Sequence, residues 1–84
     1  MTEREIQLLG FEKQEVSAEE SGDTPYHYYT YTVARGFEFI SCASNEVETG
    51  EWFIEFFDSD PNIRFTQFSE AQALINLLEK RVIK

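Results

Sequence analysis

The chain reads as an α+β domain: an antiparallel β-meander of three to five strands, packed on one face by a C-terminal α-helix, with a short N-terminal helical turn. Three observations carry this. Residues 26–57 hold three runs rich in β-branched and aromatic residues, YHYYTYTV, FEFISCA and EWFIEFF, each bounded by turn residues. Residues 71–82 place Ala71, Leu74, Ile75, Leu78 and Val82 on one helical stripe. The 84 residues suffice for a single domain, 1–84, and with 15% aromatic residues they build a core from few side chains.

The elements follow in order. Thr2 with Glu5 three residues later is a capping box that opens a helical turn through Ile6, Leu8 and Leu9, closed by Gly10. Phe11 to Ser17 is expected to run extended, and residues 18–25 to form a polar loop ending in proline. Tyr26 to Val33 is the first clear strand. Ala34-Arg35-Gly36 reads as a three-residue hairpin loop with glycine at the position of positive φ, and Phe37 to Ala43 returns. Glu51 to Phe57 forms the next strand, DSDPN turns the chain, and Ile63 to Phe65 is a brief edge strand. Ser69 with Gln72 reads as a second capping box, and Lys80, Arg81 and Lys84 sit where a helix C-terminus favours cations.

Strand alternation then sorts the faces. The hairpin loop sets Val33 against Phe37, Tyr31 against Phe39 and Tyr29 against Ser41, with His27 beside Ala43; the following strand brings Phe56, Ile54 and Trp52 opposite Phe39, Ser41 and Ala43. One face is therefore apolar throughout, and the helical stripe is its natural cover. The tyrosine crowding is thus a strand: Tyr29 and Tyr31 enter the core with their hydroxyls at its rim.

The second face ought to be polar if it meets water, and it is only half so. Tyr28, Ile40, Phe53 and Phe57 make an apolar island with Glu38, Glu51 and Glu55 around it. Either the N-terminal segment (Ile6, Leu8, Leu9, Phe11) packs over the island, the reading the sequence slightly favours, or the island is a binding surface.

Charge narrows the partners. The net charge is −9; residues 1–23 carry seven acids and two bases, and residues 38–60 carry seven acids and no base. Such a field repels nucleic-acid phosphates and anionic membrane, so neither is expected as a direct partner. The expected partner is another protein, or a second copy in a homodimer. A further alternative is mimicry: the acids of 12–23 and 38–60 imitating a phosphate backbone to occupy a basic DNA-binding protein. The single cysteine, the polar acidic start MTEREIQ and the absence of a run of about 20 apolar residues lead to the expectation of a cytoplasmic protein.

Enzymatic chemistry is not expected. His27 and Cys42 lie on neighbouring strands, but the preferred register points them to opposite faces, where a thiol and an imidazole cannot share a proton. DSDPN resembles the start of a calcium loop, yet the sixth and twelfth positions are Ile63 and Ser69 where glycine and glutamate are needed. One cysteine and one histidine cannot complete a zinc site, and no phosphate-binding loop, dinucleotide fingerprint or serine elbow is present. No catalytic residue, metal or cofactor is expected.

The segment Leu8 to Val33, with LGFEK, the ESGD turn and the tyrosine-rich strand, together with the later EWFIE strand and terminal helix, resembles a group of short acidic proteins of bacteriophages and prophages of Bacteroidetes-type hosts. The resemblance implies a small cytoplasmic protein, phage-encoded, in a setting where binding host proteins is common. It carries over no functional residue.

Overall fold

The structure, a computed structural model, describes residues 1–22, 24–47 and 49–83. Asp23, Glu48 and Lys84, counted above among the charges, lie outside the described residues. The order is α1 (Glu3–Leu8), β1 (Glu12–Val16), α2 (Ala18–Ser21), β2 (Tyr26–Ala34), β3 (Phe37–Ser41), one tight helical turn (Ser44–Glu46), β4 (Ile54–Phe56), β5 (Arg64–Phe65) and α3 (Phe68–Arg81). The five strands form one antiparallel sheet in sequence order, β1-β2-β3-β4-β5. The fold is α+β, as the sequence predicts.

Local chemistry explains most boundaries. Thr2 and Glu5 form the reciprocal capping box that starts α1. Gly10, at φ 96°, turns the chain into β1 in a conformation that favours glycine, and packs beside the Tyr31 ring. The stretch read as a polar loop contains α2, a single turn capped by Ser17 and closed by Gly22 at φ 77°. In the DSDPN turn Asp58 takes φ 61°, a conformation its short polar side chain tolerates.

Several details differ from the sequence reading. The β2–β3 loop is two residues, Arg35–Gly36, because β2 runs on through Ala34. Ala34, not Val33, stands opposite Phe37, and the register shifts between Thr32 and Ala34. A bulge satisfies the same side-chain pattern as a longer loop, and alternation alone does not separate them. The β2–β3 ladder stops at Thr30 opposite Ile40; beyond it the hydroxyls of Ser41 and Ser44 accept the amides of Tyr29 and His27 at 2.8 and 3.0 Å. Only Ile54–Phe56 of the EWFIEFF run lies in the ladder, while Trp52 exchanges hydrogen bonds with the Met1 backbone instead. The second capping box is not made. α3 starts at Phe68 behind Gln67, whose side chain makes no cap bond, which places Ser69 inside the first turn.

Most of the core lies on one side of the sheet, with buried Cys42 joining the cluster from the other. Tyr29, Phe39, Ile54 and Trp52 form a buried cluster with Ile6 of α1, Ala71 and Ile75 of α3, and Phe11. Leu74 and Leu78 pack at its edge, so the predicted helical stripe is the cover. Phe39 stacks on Phe56 with ring centroids 4.7 Å apart, and Phe56 meets Phe65 at 5.8 Å. No helix among the described residues is long and apolar enough to cross a membrane.

The N-terminal segment covers this face too, contrary to the sequence reading that sent it to the other. The reason is register. Glu12 stands opposite Thr30 in β2, so Phe11 faces Tyr31, with ring centroids 5.4 Å apart, and the helix before it is committed to the same side. The second face is left without that cover.

Candidate interaction face

The second face is built row by row. Cross-strand pairing aligns Glu12, Thr30, Ile40, Glu55 and Arg64 from β1 to β5, one residue per strand. Beside this row stand Gln14 opposite Tyr28, and Thr32 opposite Glu38. Cys42 is buried; Tyr28, Ile40, Phe53, Glu38 and Glu55 are half-buried, and Phe57 is exposed.

Hydrogen bonds hold the polar part of the face. Gln14 Nε2 donates to Thr30 Oγ1 at 3.2 Å and Thr32 Oγ1 donates to Glu38 Oε1 at 3.1 Å. Arg64 does the most. Its guanidinium carbon lies 3.8 Å from the centre of the Phe53 ring, and its Nε and Nη2 reach Glu55 Oε2 at 3.1 and 3.0 Å. Phe53 is therefore roofed by a cation that the sequence reading had not placed on this face. Glu55 is bound to that roof rather than standing as a free rim carboxylate. The missing signal was the register of the two-residue strand β5, which sets Arg64 opposite Glu55.

Glu51 stands elsewhere. Its carboxylate lies 3.6 Å from the Met1 nitrogen, which donates to the carbonyls of Trp52 and Thr66. Of the predicted site residues, Tyr28, Ile40, Phe53, Glu38, Glu55 and Phe57 share the face, and Glu51 does not join them.

The apolar character is concentrated at one end. Phe57 continues the β3–β4 pairing, its amide donating to the Glu38 carbonyl at 2.8 Å. Around it opens a groove of about 320 Å³ lined by Gly36, Phe37, Glu38, Phe56, Phe57, Ser59 and Ile63. Phe37, Phe57 and Ile63 keep 39%, 57% and 48% of their surface exposed, three of the six large apolar side chains left to solvent among the described residues. Sequence reading placed Phe37 in the covered core. It lies there by alternation, against Phe56 at 5.3 Å, but at the hairpin end of the strand, where it keeps its exposure.

A second polar cluster lies on the covered side. His27 Nε2 is 2.6 Å from Glu3 Oε2, Tyr29 Oη donates to the same oxygen at 2.8 Å, and Gln7 Nε2 donates to Tyr29 Oη at 2.9 Å. The His27 ring stacks on Trp52 at 5.8 Å. Burial works to raise the Glu3 carboxyl, but the hydrogen bonds to Tyr29 and His27 and the imidazole charge outweigh it and hold the group below its ordinary value. Burial first, then the Glu3 bond and charge against the opposing bond from Gln7, pushes Tyr29 up. The cluster ties α1 to β2. His27 is thereby engaged away from Cys42, whose thiol is pushed up by burial and whose amide donates to the Phe53 carbonyl.

No family model, no curated protein sequence and no solved structure matches the chain.

Proposed function

We propose that the protein is a small acidic interaction module, without catalytic activity, that binds a protein partner through the second face of its sheet. The observation that carries this reading is the placement of both covering helices on the opposite face. Tyr28, Ile40 and Phe57 are then left outside the core cluster, and Phe53 packs only at its edge. An apolar set ringed by Glu38, Thr32, Gln14 and the Arg64–Glu55 pair matches the way interfaces set anchors within a polar rim.

Three forms of the protein compared in affinity capture test it: wild type, Ile40→Thr combined with Phe57→Ser, and Leu77→Ser on the exposed side of α3. A partner held by wild type and Leu77→Ser but released by the double variant supports the reading. Equal retention by all three overturns it. Light scattering over a wide concentration range separates self-association, since a dimer that the double variant dissociates would assign the face to a second copy.

A further inference from the structure

We infer that the end groove takes a short basic segment of a partner protein, seated by a large apolar side chain between Phe37, Phe57 and Ile63. This rests on the reading of the protein as an interaction module, and goes further by placing the binding hollow at the hairpin end of the sheet, where Phe57 of the second face meets Phe37 and Phe56 of the covered one, and by naming the chemistry of its occupant.

The groove combines volume, exposure and field. At about 320 Å³ it admits one or two large side chains, and its apolar walls are among the most exposed of the chain. Three exposed apolar side chains converging on one hollow differ from scattered surface leucines, which need no explanation. They come from separate stretches, β3, the residue after β4 and the residue before β5, so no single stretch of chain explains their meeting.

Charge selects among occupants. Glu38 lines the groove, Asp58 and Asp60 lie in the turn beside it, and residues 38–60 contain no base. The nearest cations in sequence are Arg35 in the hairpin and Arg64, and Arg64 is bound to Glu55. A second copy fits poorly, because two-fold symmetry would press this acidic patch against itself on chains of net charge −9. Nucleic acid and anionic lipid meet the same repulsion. A segment with lysines or arginines around an aromatic or aliphatic anchor satisfies both the apolar walls and the field.

The probe is a short synthetic peptide with a central Leu-Trp pair flanked by lysines. Two controls are used, one with the pair replaced by serines and one with the lysines replaced by glutamates. The readouts are amide chemical shifts of isotope-labelled protein and the dissociation constant. Saturable shifts centred on Gly36, Phe37, Phe57 and Ile63 are expected with the first peptide alone. Phe57→Ser with Ile63→Ser should weaken its binding at least about tenfold. If the double variant loses its dispersed spectrum, Ile63→Thr alone carries the test, since that residue lies outside the strands.

Equal binding of the serine control would reduce the effect to charge and overturn the proposal. No saturable shift up to about 1 mM peptide, an affinity of only about 4 kcal/mol, overturns it as well. Shifts centred on Tyr28 and Ile40 would overturn the groove while preserving the broader face, so the two readings fail separately.

Discussion

Phe39 lies in β3 and Phe57 directly follows the neighbouring β4, and only Phe39 is in the core. Phe39 is fully buried, stacked on Phe56 beneath α1 and α3, while Phe57 keeps more than half of its surface. The two residues are equally apolar and both stand in strand-forming sequence. The difference between them is a parity: an odd number of steps along a strand selects the opposite face, and both helices cover only one. The comparison extends to whole faces. One is closed by apolar contact and by tyrosine hydroxyls reaching Glu3 and Glu79; on the other, Arg64 is laid over Phe53 and no covering helix packs on Tyr28, Ile40 or Phe57.

Five substitutions and a pH series sharpen that contrast. Phe39→Ala should be the most damaging, costing about 3–5 kcal/mol and unfolding much of the population of a domain with little stability to spare. Phe57→Ser should stay within about 0.5 kcal/mol of wild type. Urea denaturation of the pair checks both, and similar losses would mean the faces are energetically alike.

Next comes the polar seam of the closed face. Tyr29→Phe removes the donor to Glu3 and the acceptor of Gln7, and is expected to cost about 1 kcal/mol in the same measurement. A neutral result would show that the seam positions α1 without holding it.

The pH dependence has two limbs. Glu3 is held below its ordinary 4.5, so its contribution is complete above pH 4.5 and is lost as pH falls through the lowered folded value. Tyr29 and Tyr31 are raised above 10.0, chiefly by burial and, for Tyr31, also by the Glu79 bond; their contribution is complete below pH 10.0 and is lost as pH rises through the folded values. Thermal melts across pH should therefore decline at both ends. Glu3→Gln should flatten the acidic limb and also soften the alkaline one, because the Glu3 bond and charge help burial to raise Tyr29.

Arg64→Ala should cost less than about 1 kcal/mol, because the pair with Glu55 is partly exposed. Its value is diagnostic. The change uncovers Phe53, so an apolar dye should bind the second face better than it binds wild type. Unchanged dye binding would mean that Arg64 does not shield the ring.

Much of the fold was legible because it depends on short-range patterns. The period-two aromatic runs, the Thr2–Glu5 box, Gly10 and the Ala71–Val82 stripe each declare their element within a few residues, and the Phe39–Phe56 and Ser41–Ile54 pairings follow from matching apolar faces. The predicted face residues also fell together, apart from Glu51. What was not legible has two causes. The side on which α1 packs, the arginine roof on Phe53 and the end groove depend on how segments distant in sequence align, whereas the bulge before the hairpin, α2 and the start of α3 are local choices between conformations that the same pattern satisfies.

By itself, then, the sequence determined the α+β class, the meander, the helix that covers it and the acidic field, since propensity, periodicity and charge are properties of local composition. Only the tertiary structure decided which face stayed open and where the apolar residues gathered on it. The β1 register opposite β2, together with the packing of α3 on the same side, chose between burials that are equally apolar in the unfolded chain.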